Sequence, residues 1–317
     1  MAVLLIGGGL VGSQIARILL EMGETVSILD YAHQPDALKE NVDLDQISTI
    51  TGDILNPMSL INALKDTGAN KVVHTAAYPM LTVGGQQNPY GTININIMGT
   101  ANVLEACRVM DVERLVVVSS SVLSQSIAGG GDAGDPSREE AFPRPTTFYA
   151  ATKQAVEGIS LNYAAWCGLD VRAVRYAAIA GPWSGRGGGG PSNTFRGLVE
   201  GALINGEATI SARSMEWVYS KDAARGTVLA LEANGIGEER VFNIGMGKIS
   251  APDDLADAIT KVLPETRITI SKSEQEKSSS QLAPLNMARS KALLGYEPVF
   301  DLEGACRDYV DWYVNKG

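Results

Sequence analysis

The chain has 317 residues, of which 45% are hydrophobic and 20% charged, a composition that excludes global disorder and fits one large domain or two packed ones. Lysine and arginine number 26 against 36 aspartate and glutamate residues, which gives a formal net charge of −10. Such a field repels phosphate backbones and acidic membrane surfaces, and no segment reaches membrane-spanning length, so we expect neither nucleic acid nor a membrane as partner.

The first half of the chain alternates short apolar runs with amphipathic stretches, the pattern of a parallel sheet covered by helices. The apolar runs predict strands at Val3 to Ile6, Thr25 to Leu29, Ile47 to Ile50, Val72 to His74, Leu115 to Val118 and Val171 to Val174. The amphipathic stretches predict helices near Ser13 to Met22, Pro57 to Lys65, Ile95 to Met110 and Tyr149 to Trp166. We therefore expect an α/β fold in which residues 1–175 form a Rossmann-type doubly wound parallel sheet.

The second half is less regular and predicts a smaller C-terminal lobe, residues 176–317, that rests on the carboxyl edge of the sheet and binds substrate. Part of residues 218–247 is expected to return and pack on the first domain. The second half of the chain contains a glycine-rich loop from Gly185 to Pro191 and a polar tract from Ser271 to Gln281. Between them the sequence predicts helices near Leu198, Asp222 to Glu232 and Asp253 to Val262, and a strand at Val241 to Ile244.

The cysteines and histidines of the sequence predict neither a disulfide framework nor a metal site. Cys107, Cys167 and Cys306 are far apart and form no Cys-x-x-Cys pair, so we expect reduced core thiols. His33 and His74 lack neighbours at ligand spacing, so no bound metal is expected. The chain opens directly on a strand-like run without a basic, apolar leader, so the expected compartment is the cytoplasm.

The junction between the first predicted strand and the first predicted helix is rich in glycine. Gly7, Gly9 and Gly12 fit the spacing G-x-G-x-x-G. In that pattern the first glycine allows a tight turn, the second lets backbone N–H groups approach a pyrophosphate, and the third packs the helix on the strand. Adjacent glycines alone also suit a flexible turn. With a strand before and a helix opened by Leu10 and Val11 after, the pattern predicts a dinucleotide site at the helix N-terminus.

Asp30 ends the second predicted strand, where a carboxylate accepts hydrogen bonds from the adenosine ribose hydroxyls. A 2′-phosphate in the same place would meet like charge. The position therefore favours NAD over NADP, and the other interpretation of Asp30 is a solvated turn residue.

Tyr149 and Lys153 lie one helical turn apart on the same face of a predicted helix. A nearby ammonium and an oxidised nicotinamide both favour the phenolate, which is the base that alcohol oxidation needs. The spacing Tyr-x-x-x-Lys arises by chance in many chains. The triplet Ser119 to Ser121 supports a catalytic role for Tyr149 and Lys153. The triplet directly follows the strand ending at Val118, so it lies at the carboxyl edge of the sheet, where ligands bind.

These residues and further motifs in the same order resemble extended short-chain dehydrogenases/reductases of the NAD-dependent epimerase/dehydratase family. The other motifs are Gly52-Asp53-Ile54, His74-Thr75-Ala76-Ala77, Asn96-Ile97-Met98-Gly99-Thr100, Arg175 with Gly181-Pro182, Val218-Tyr219-Ser220-Lys221-Asp222, Phe242-Asn243-Ile244-Gly245 and Leu294-Gly295-Tyr296-Glu297-Pro298. The resemblance covers nearly the whole chain. It implies residues 1–175 as an NAD-binding domain.

The resemblance also implies individual roles. Ser121 and Tyr149 bind the reacting oxygen, with Ser120 as the alternative if the triplet is shifted by one. Lys153 holds the nicotinamide ribose. The implied cofactor contacts are Asp53 and Ile54 at the adenine, Ala76 and Ala77 at the phosphates and nicotinamide ribose, and Asn96. A homodimer built on the helices near Ile95 to Met110 and Tyr149 to Trp166 is implied as well.

Three departures from the family pattern bear on the substrate. Val122 and Leu123 stand where the dehydratase subgroup carries an Asp-Glu pair, which argues against dehydration. Ala178 and Met215 stand where nucleotide-sugar enzymes place an asparagine and a diphosphate-binding arginine. Arg186 and Arg213 could bind a substrate diphosphate in place of those two residues. The alternative interpretation of the loop around Arg186 is a plain flexible lid.

We therefore expect an NAD-dependent oxidoreductase that takes hydride from a secondary alcohol of a sugar-like or polyol substrate, as a dehydrogenase or an epimerase. One alternative is a nucleotide-sugar epimerase with an atypical diphosphate site. The other is a catalytically silent NAD(H)-binding protein, since fold alone does not establish function.

Overall fold

The computed structural model describes residues 1–78, 81–123, 145–271 and 283–316. Its strands are β1 (Ala2–Ile6), β2 (Thr25–Asp30), β3 (Ile47–Thr51), β4 (Lys71–His74), β5 (Arg114–Ser120), β6 (Asp170–Tyr176), β7 (Ala178–Ala180), β8 (Glu207–Ser211), β9 (Trp217–Tyr219), β10 (Val241–Ile244) and β11 (Arg267–Ser271). Its helices are α1 (Leu10–Glu21), α2 (Pro35–Leu38), α3 (Pro57–Thr67), α4 (Leu81–Gln87), α5 (Pro89–Ile93), α6 (Gly99–Val109), α7 (Phe148–Cys167), α8 (Gly189–Asn205), α9 (Ser220–Glu232), α10 (Pro252–Val262), α11 (Ala288–Leu294) and α12 (Leu302–Asn315). A π-helical stretch, Asn94–Met98, leads into α6, and a 3-10 turn, Leu44–Gln46, leads into β3.

A central parallel sheet of seven strands confirms the predicted Rossmann-type fold. The strand order is β10-β6-β5-β4-β1-β2-β3, and every neighbouring pair is parallel. The direction of winding reverses between β1 and β4. In such sheets the ligand crevice opens at the carboxyl ends of the strands on either side of this reversal.

The side chains of β1 show why the sheet is covered on both faces. Val3 and Leu5 belong to one buried cluster, and Leu4 and Ile6 belong to another. Because side chains alternate along a strand, the unbroken apolar run of β1 supplies both layers at once. The continuous apolar runs predicted from the sequence therefore mark strands with helices on each side.

A third buried cluster lies in the C-terminal part of the chain. Here two short parallel pairs, β8 with β11 and β7 with β9, pack with α8, α10 and α12. The ring of Phe195 packs edge-on against Trp217 and Tyr309, with centroids 5.9 and 5.8 Å apart. This lobe forms one wall of the crevice described below.

The two predicted domains share one sheet. β10 pairs with β6, and α9 packs against α1, β5 and β6, so part of residues 218–247 lies on the first-half sheet. The division of the chain into an NAD-binding domain, residues 1–175, and a substrate-binding lobe, residues 176–317, stays a prediction.

Some expectations from the sequence differ from the structure. Cys107 and Cys306 are buried, but Cys167 is exposed at the end of α7, so it is not a core thiol. Of the predicted polar tract from Ser271 to Gln281, all but the first residue lies outside the described residues. The helices α4 and α5 were not predicted, because their short runs are rich in glycine and glutamine and lack a clear apolar period.

Within residues 1–78, 81–123, 145–271 and 283–316, no three histidine, cysteine or acidic side chains group as metal ligands would. None of the helices described is both long enough and apolar enough to span a bilayer.

A cluster of buried cations holds the C-terminus of α9 at the amino edge of the sheet. Arg114 on β5 and Arg172 on β6 both bind the Asp170 carboxylate, at 2.7 and 2.8 Å. Their other guanidinium N–H groups donate to the last carbonyls of the helix, at Ala230, Leu231 and Ala233. Cations are favoured at a helix C-terminus, so the cluster fixes α9 in position on the sheet.

The substitution Arg172→Met should lower the free energy of unfolding by about 2 to 4 kcal/mol, because it breaks a buried ion pair and leaves helix carbonyls without a donor. Denaturant unfolding followed by circular dichroism measures the change. Arg267→Met is the matched control, since Arg267 is 80% exposed in its pair with Glu207. An exposed pair contributes little, so the control should stay within about 0.5 kcal/mol of the parent. Equal losses in the two variants would contradict the assignment.

Candidate active site

A cavity of about 1490 Å³ opens along the carboxyl ends of the central strands and continues into the C-terminal lobe. Ligand pockets of about 300 to 1,000 Å³ are usual for one small molecule, so this cavity has room for more than one. One end is lined by the β1–α1 junction and Asp30, and the other by the β8–β9 connection and residues 249–255. Tyr149 and Lys153 line it as well.

Two glycines of the β1–α1 junction, Gly7 and Gly12, are required by their surroundings in the protein. Gly7 has φ of +106°, and a Cβ there would lie 2.6 Å from the Thr75 hydroxyl. A Cβ on Gly12 would collide with the Gly7 carbonyl. At Gly9 a Cβ would meet nothing within 4 Å, so the backbone there faces open space. Gly9 also caps α1 without a side-chain hydrogen bond, which leaves the N-terminal N–H groups of the helix available to an anion.

Asp30 fixes the same junction from the neighbouring strand. Its Oδ2 accepts a hydrogen bond from the Gly8 N–H at 2.8 Å, and its Oδ1 accepts one from the Ala32 N–H at 2.9 Å. A carboxylate offers about four acceptor positions, so both oxygens keep capacity for ribose hydroxyls. The residues present therefore fit the adenosine and pyrophosphate parts of a dinucleotide.

Four more predicted cofactor residues line the cavity: Asp53, Ile54, Ala76 and Ala77. The Asp53 carboxylate caps the following turn by accepting from the Leu55 N–H at 2.8 Å. Ile54 is buried, and the backbone N–H of Ala76 donates to the carbonyl at the end of β1 at 2.9 Å. Leu10 and Val11 line the cavity as well. These residues lie where a dinucleotide would extend on both sides of the switch point.

The side chain of Asn96, predicted as a cofactor residue, is held by contacts within the protein. This residue does not line the cavity, and both ends of its buried side chain are occupied. Its Oδ1 accepts from the Tyr78 N–H at 2.8 Å, and its Nδ2 donates to the Thr152 hydroxyl at 2.9 Å. Asn96 therefore ties the loop after β4 to α7 from behind the cavity wall. The π-helical turn that carries it widens the helix locally, as such turns do near functional sites.

Helix α7 places Tyr149 and Lys153 in the cavity. The helix begins where the Thr147 hydroxyl accepts from the Ala150 N–H at 3.1 Å, so Tyr149 lies in its first turn. The Lys153 Nζ lies 5.8 Å from the centre of the Tyr149 ring and donates to the Val118 carbonyl at 2.7 Å. Both side chains are buried. The predicted pair is therefore assembled at the end of β5.

Burial sets the protonation of this pair. It raises the pKa of the Tyr149 phenol to about 12, and a hydrogen bond with the Ser120 side chain acts in the opposite direction. Burial lowers the pKa of the Lys153 ammonium to about 8. The protein groups by themselves thus keep Tyr149 protonated at neutral pH. The phenolate expected from the sequence therefore depends on the oxidised nicotinamide as well as on the lysine.

The three serines have different surroundings. The Ser120 side chain lines the cavity and lowers the pKa of the Tyr149 phenol, against the larger effect of burial. The Ser119 hydroxyl donates to Glu157 at 2.8 Å. Ser121 lies just beyond the strand, lines the cavity and donates its backbone N–H to the Tyr176 carbonyl at 2.9 Å. The effect of Ser120 on the phenol favours Ser120, the alternative in the sequence analysis, over Ser121 as the partner of Tyr149.

Arg186 and Arg213 both line the cavity, at different parts of it. Arg186 belongs to the glycine-rich loop, and its backbone binds Gln34, four residues beyond Asp30. Arg213 follows β8 and lies beside Met215, which bridges to Ser250 in the lobe. The two arginines are thus not equivalent. Arg186 is anchored near the nucleotide end and Arg213 near the lobe.

Glu216 is a buried cavity residue that the sequence did not reveal. Its Oε1 accepts from the Gly247 N–H at 2.8 Å and its Oε2 accepts from the Leu285 N–H at 2.7 Å. Burial raises the pKa of this carboxyl, and the backbone N–H groups oppose that effect. Glu216 joins three separate segments of the lobe wall. In the sequence, Glu216 is marked only as an acidic residue that directly precedes the apolar run of β9.

Comparisons with known proteins agree with this architecture. A model of the NAD dependent epimerase/dehydratase family matches residues 3–245. The UDP-glucuronate 4-epimerase of Thermodesulfobacterium geofontis is 28% identical over 96% of this chain and 93% of its own. UDP-glucuronate 4-epimerase 4 of Arabidopsis thaliana is 25% identical over 97% of this chain and 74% of its own. A crystal structure of the UDP-glucose 4-epimerase of Thermus thermophilus in complex with NAD superposes with a TM-score of 0.81, at 25% identity and 99% coverage of each chain.

Asp30 predicts the choice between the two nicotinamide dinucleotides. We expect NAD⁺ to bind at least about tenfold more tightly than NADP⁺, which is about 1.4 kcal/mol, because the 2′-phosphate would face this carboxylate. Calorimetric titration of the purified protein measures both affinities.

The matched variants are Asp30→Asn and Asp53→Asn, which remove one cavity carboxylate each. The first should bring the two affinities closer together, and the second should leave their ratio within about twofold of the parent. An equal or better NADP⁺ affinity in the parent protein would contradict this prediction.

Proposed function

The chain belongs to the NAD dependent epimerase/dehydratase family, and on that premise we propose that it epimerises C4 of the sugar in a nucleotide diphosphate sugar. It is an NAD-dependent enzyme of that family. The named activities of its relatives support the nucleotide-sugar alternative better than the sugar or polyol dehydrogenase that was the first expectation. The observation that carries the proposal is the length of the cavity, which runs from Asp30 past Tyr149 to Arg213 and Ser250.

The size and lining of the cavity fit a long substrate. The dinucleotide end, the Tyr149 region and the lobe end lie in one continuous volume of about 1490 Å³. A dinucleotide that extends from Asp30 to Tyr149 would leave the lobe part of the cavity, lined by Arg213, Met215 and Ser250, for the substrate. The substrate's sugar would lie at Tyr149 and its nucleotide would lie in the lobe.

The roles of the three reacting side chains follow from their placement. Tyr149 exchanges a proton with the hydroxyl at the epimerised carbon, and Ser120 holds that oxygen by a hydrogen bond. Lys153, fixed by the Val118 carbonyl, keeps a positive charge beside the phenol and donates to the nicotinamide ribose. NAD, when bound, supplies reversible hydride acceptance and a second positive charge near the phenol.

We assign the substrate diphosphate to Arg213. Ala178 and Met215 offer it no charge-assisted hydrogen bond, whereas Arg213 lines the same cavity two residues before Met215. An arginine binds a phosphate group through two parallel N–H donors. One arginine would thus replace contacts that the family usually places at the two neighbouring positions.

The same two residues favour a second candidate function. Without an amide at Ala178 or a guanidinium at Met215, a free sugar, sugar acid or polyol would lose nothing on binding. In that case the ketone leaves the site and the enzyme is a dehydrogenase.

Kinetics with matched substrates separate the two functions. We expect UDP-glucose or UDP-glucuronate to be converted to its C4 epimer, as seen by proton NMR, with free glucose, glucuronate and polyols at least about a hundredfold less efficient. Arg213→Ala should raise KM for the nucleotide sugar by about tenfold or more. Efficient oxidation of a free sugar, with net NADH formation and inert nucleotide sugars, would favour the second candidate.

Variants of the reacting groups test the assigned roles. Tyr149→Phe should lower kcat by at least about a hundredfold and leave NAD affinity within about twofold, since only the phenolic oxygen is lost. Ser120→Ala should cost at least about tenfold more in kcat than Ser121→Ala. The reverse order for the two serines would restore the original prediction of Ser121. Unaltered turnover by Tyr149→Phe would point to a different base.

Helices α6 and α7 support the predicted homodimer. Met98, directly before α6, is 51% exposed, Val109 at the end of α6 is 50% exposed, and Trp166 on α7 is 71% exposed. The Arg108 guanidinium lies 5.7 Å from the Trp166 ring centre. Large exposed apolar side chains on neighbouring helices are typical of an interface between copies.

We expect a dimer at micromolar concentration in analytical ultracentrifugation. Trp166→Glu should shift the equilibrium toward the monomer, because a carboxylate would be buried at the interface. Exposed Tyr31→Glu, a matched apolar-to-charged change away from these helices, should leave the dimer intact. A parent protein that sediments as a monomer would contradict the homodimer.

A further inference from the structure

A glycine-rich segment that leads from β7 into the first turn of α8 runs over the dinucleotide end of the cavity. We call residues 185–191 the strap; they line that cavity from Arg186 to Pro191. Gly187, Gly188 and Gly189 have φ of +102°, +85° and +78°, a conformation that other residues rarely adopt. The path of the strap over the cavity therefore requires glycine at these three positions.

One side of the strap is attached to the segment after β2 by a two-bond clasp. The Arg186 N–H donates to Gln34 Oε1 at 2.6 Å, and Gln34 Nε2 donates to the Arg186 carbonyl at 3.2 Å. The Trp183 indole N–H donates to the same carbonyl at 3.1 Å. Gln34 follows Asp30 by four residues, so the clasp lies at the adenosine end of the site.

The rest of the strap crosses the site toward its other side. A Cβ on Gly188 would lie 3.7 Å from Leu10, the first residue of α1. Gly189 packs against Leu81, in the segment that follows β4. From Gln34 to Leu81 the strap thus passes over the N-terminus of α1, where the pyrophosphate of a dinucleotide binds.

The Arg186 side chain is an unused cation at this point. Its guanidinium is exposed, lines the cavity, and has no hydrogen-bond or ion-pair partner within the described ranges of the chain. The clasp fixes only its backbone. A free guanidinium held above a helix N-terminus matches the two phosphate groups of a dinucleotide.

We propose that the strap closes over bound NAD, with the Arg186 guanidinium pairing with the cofactor pyrophosphate and Gln34 holding the strap in place. Arg186 is then a cofactor residue, and the substrate diphosphate is left to Arg213. The binding role rests on the family's use of NAD and does not depend on the substrate. The advantage of closing the strap rests on the proposed epimerisation. In that reaction the same dinucleotide takes up the hydride and returns it, so it has to stay bound between the two steps.

Binding measurements on the purified protein test the strap without any substrate. Arg186→Ala should raise the dissociation constants of NAD⁺ and of ADP-ribose by at least about tenfold, and leave the inhibition constant of adenosine, which lacks the pyrophosphate, within about twofold. Gln34→Ala should speed NADH release, measured by stopped-flow fluorescence, by at least about fivefold. Arg267→Ala removes one exposed cation far from the cavity and is the control for net charge.

Three outcomes would overturn the proposal. NAD⁺ and ADP-ribose affinities unchanged in Arg186→Ala would remove the pyrophosphate contact. An equal loss for adenosine would show a general disturbance of the site. A higher KM for a nucleotide sugar with unchanged NAD⁺ affinity would return Arg186 to the substrate. Each of these results leaves the proposed epimerase activity open to its own kinetic test, so the two proposals fail separately.

Discussion

The contact between Gly7 and Gly12 is the constraint on which the site depends. Any side chain at Gly12 would overlap the Gly7 carbonyl, so α1 can start this close to the end of β1 only without one. That closeness places the helix N-terminus at the point where the sheet reverses its winding. Asp30 completes the arrangement by binding the Gly8 N–H from the next strand. A dinucleotide site is therefore built into the first 30 residues.

The two edges of the sheet hold buried cations in different surroundings. At the amino edge, Arg114 and Arg172 share Asp170 and helix carbonyls, so each buried cation has a partner. Toward the carboxyl edge, Arg175 pairs with Glu157, whereas the Lys153 ammonium donates to the neutral Val118 carbonyl, and burial lowers its pKa from 10.5 to about 8. Between about pH 8 and 10.5 the unfolded chain then binds more protons than the folded one, so this lysine destabilises the fold less as pH rises. The folded chain thus holds the Lys153 charge beside Tyr149 at a cost in stability.

Local patterns in the sequence were enough to predict most of this. The strand, glycine turn and helix at residues 3–22, and the Tyr149–Lys153 spacing, are each contained within one or two elements. The residues that were missed or misplaced depend on contacts between distant segments. Gln34 meets Arg186 across 152 positions, and Glu216 meets Leu285 across 69. Contacts between residues so far apart produce no periodic pattern in a single sequence, so they could not be predicted from it.

The roles of the serines and of Asn96 are hard to assign from the sequence for a different reason. In Ser119 to Ser121, a one-residue shift at the end of a strand decides which hydroxyl reaches Tyr149, and the sequence does not mark where β5 ends. Asn96 has the right neighbours for a cofactor residue, yet its π-helical turn directs both polar groups to the protein. A dehydrogenase and an epimerase also share Ser, Tyr and Lys, so the triad cannot tell them apart. What separates them is whether the ketone and the dinucleotide stay, and the groups that we propose for this role, Arg213 in the lobe and the strap over α1, lie outside the triad.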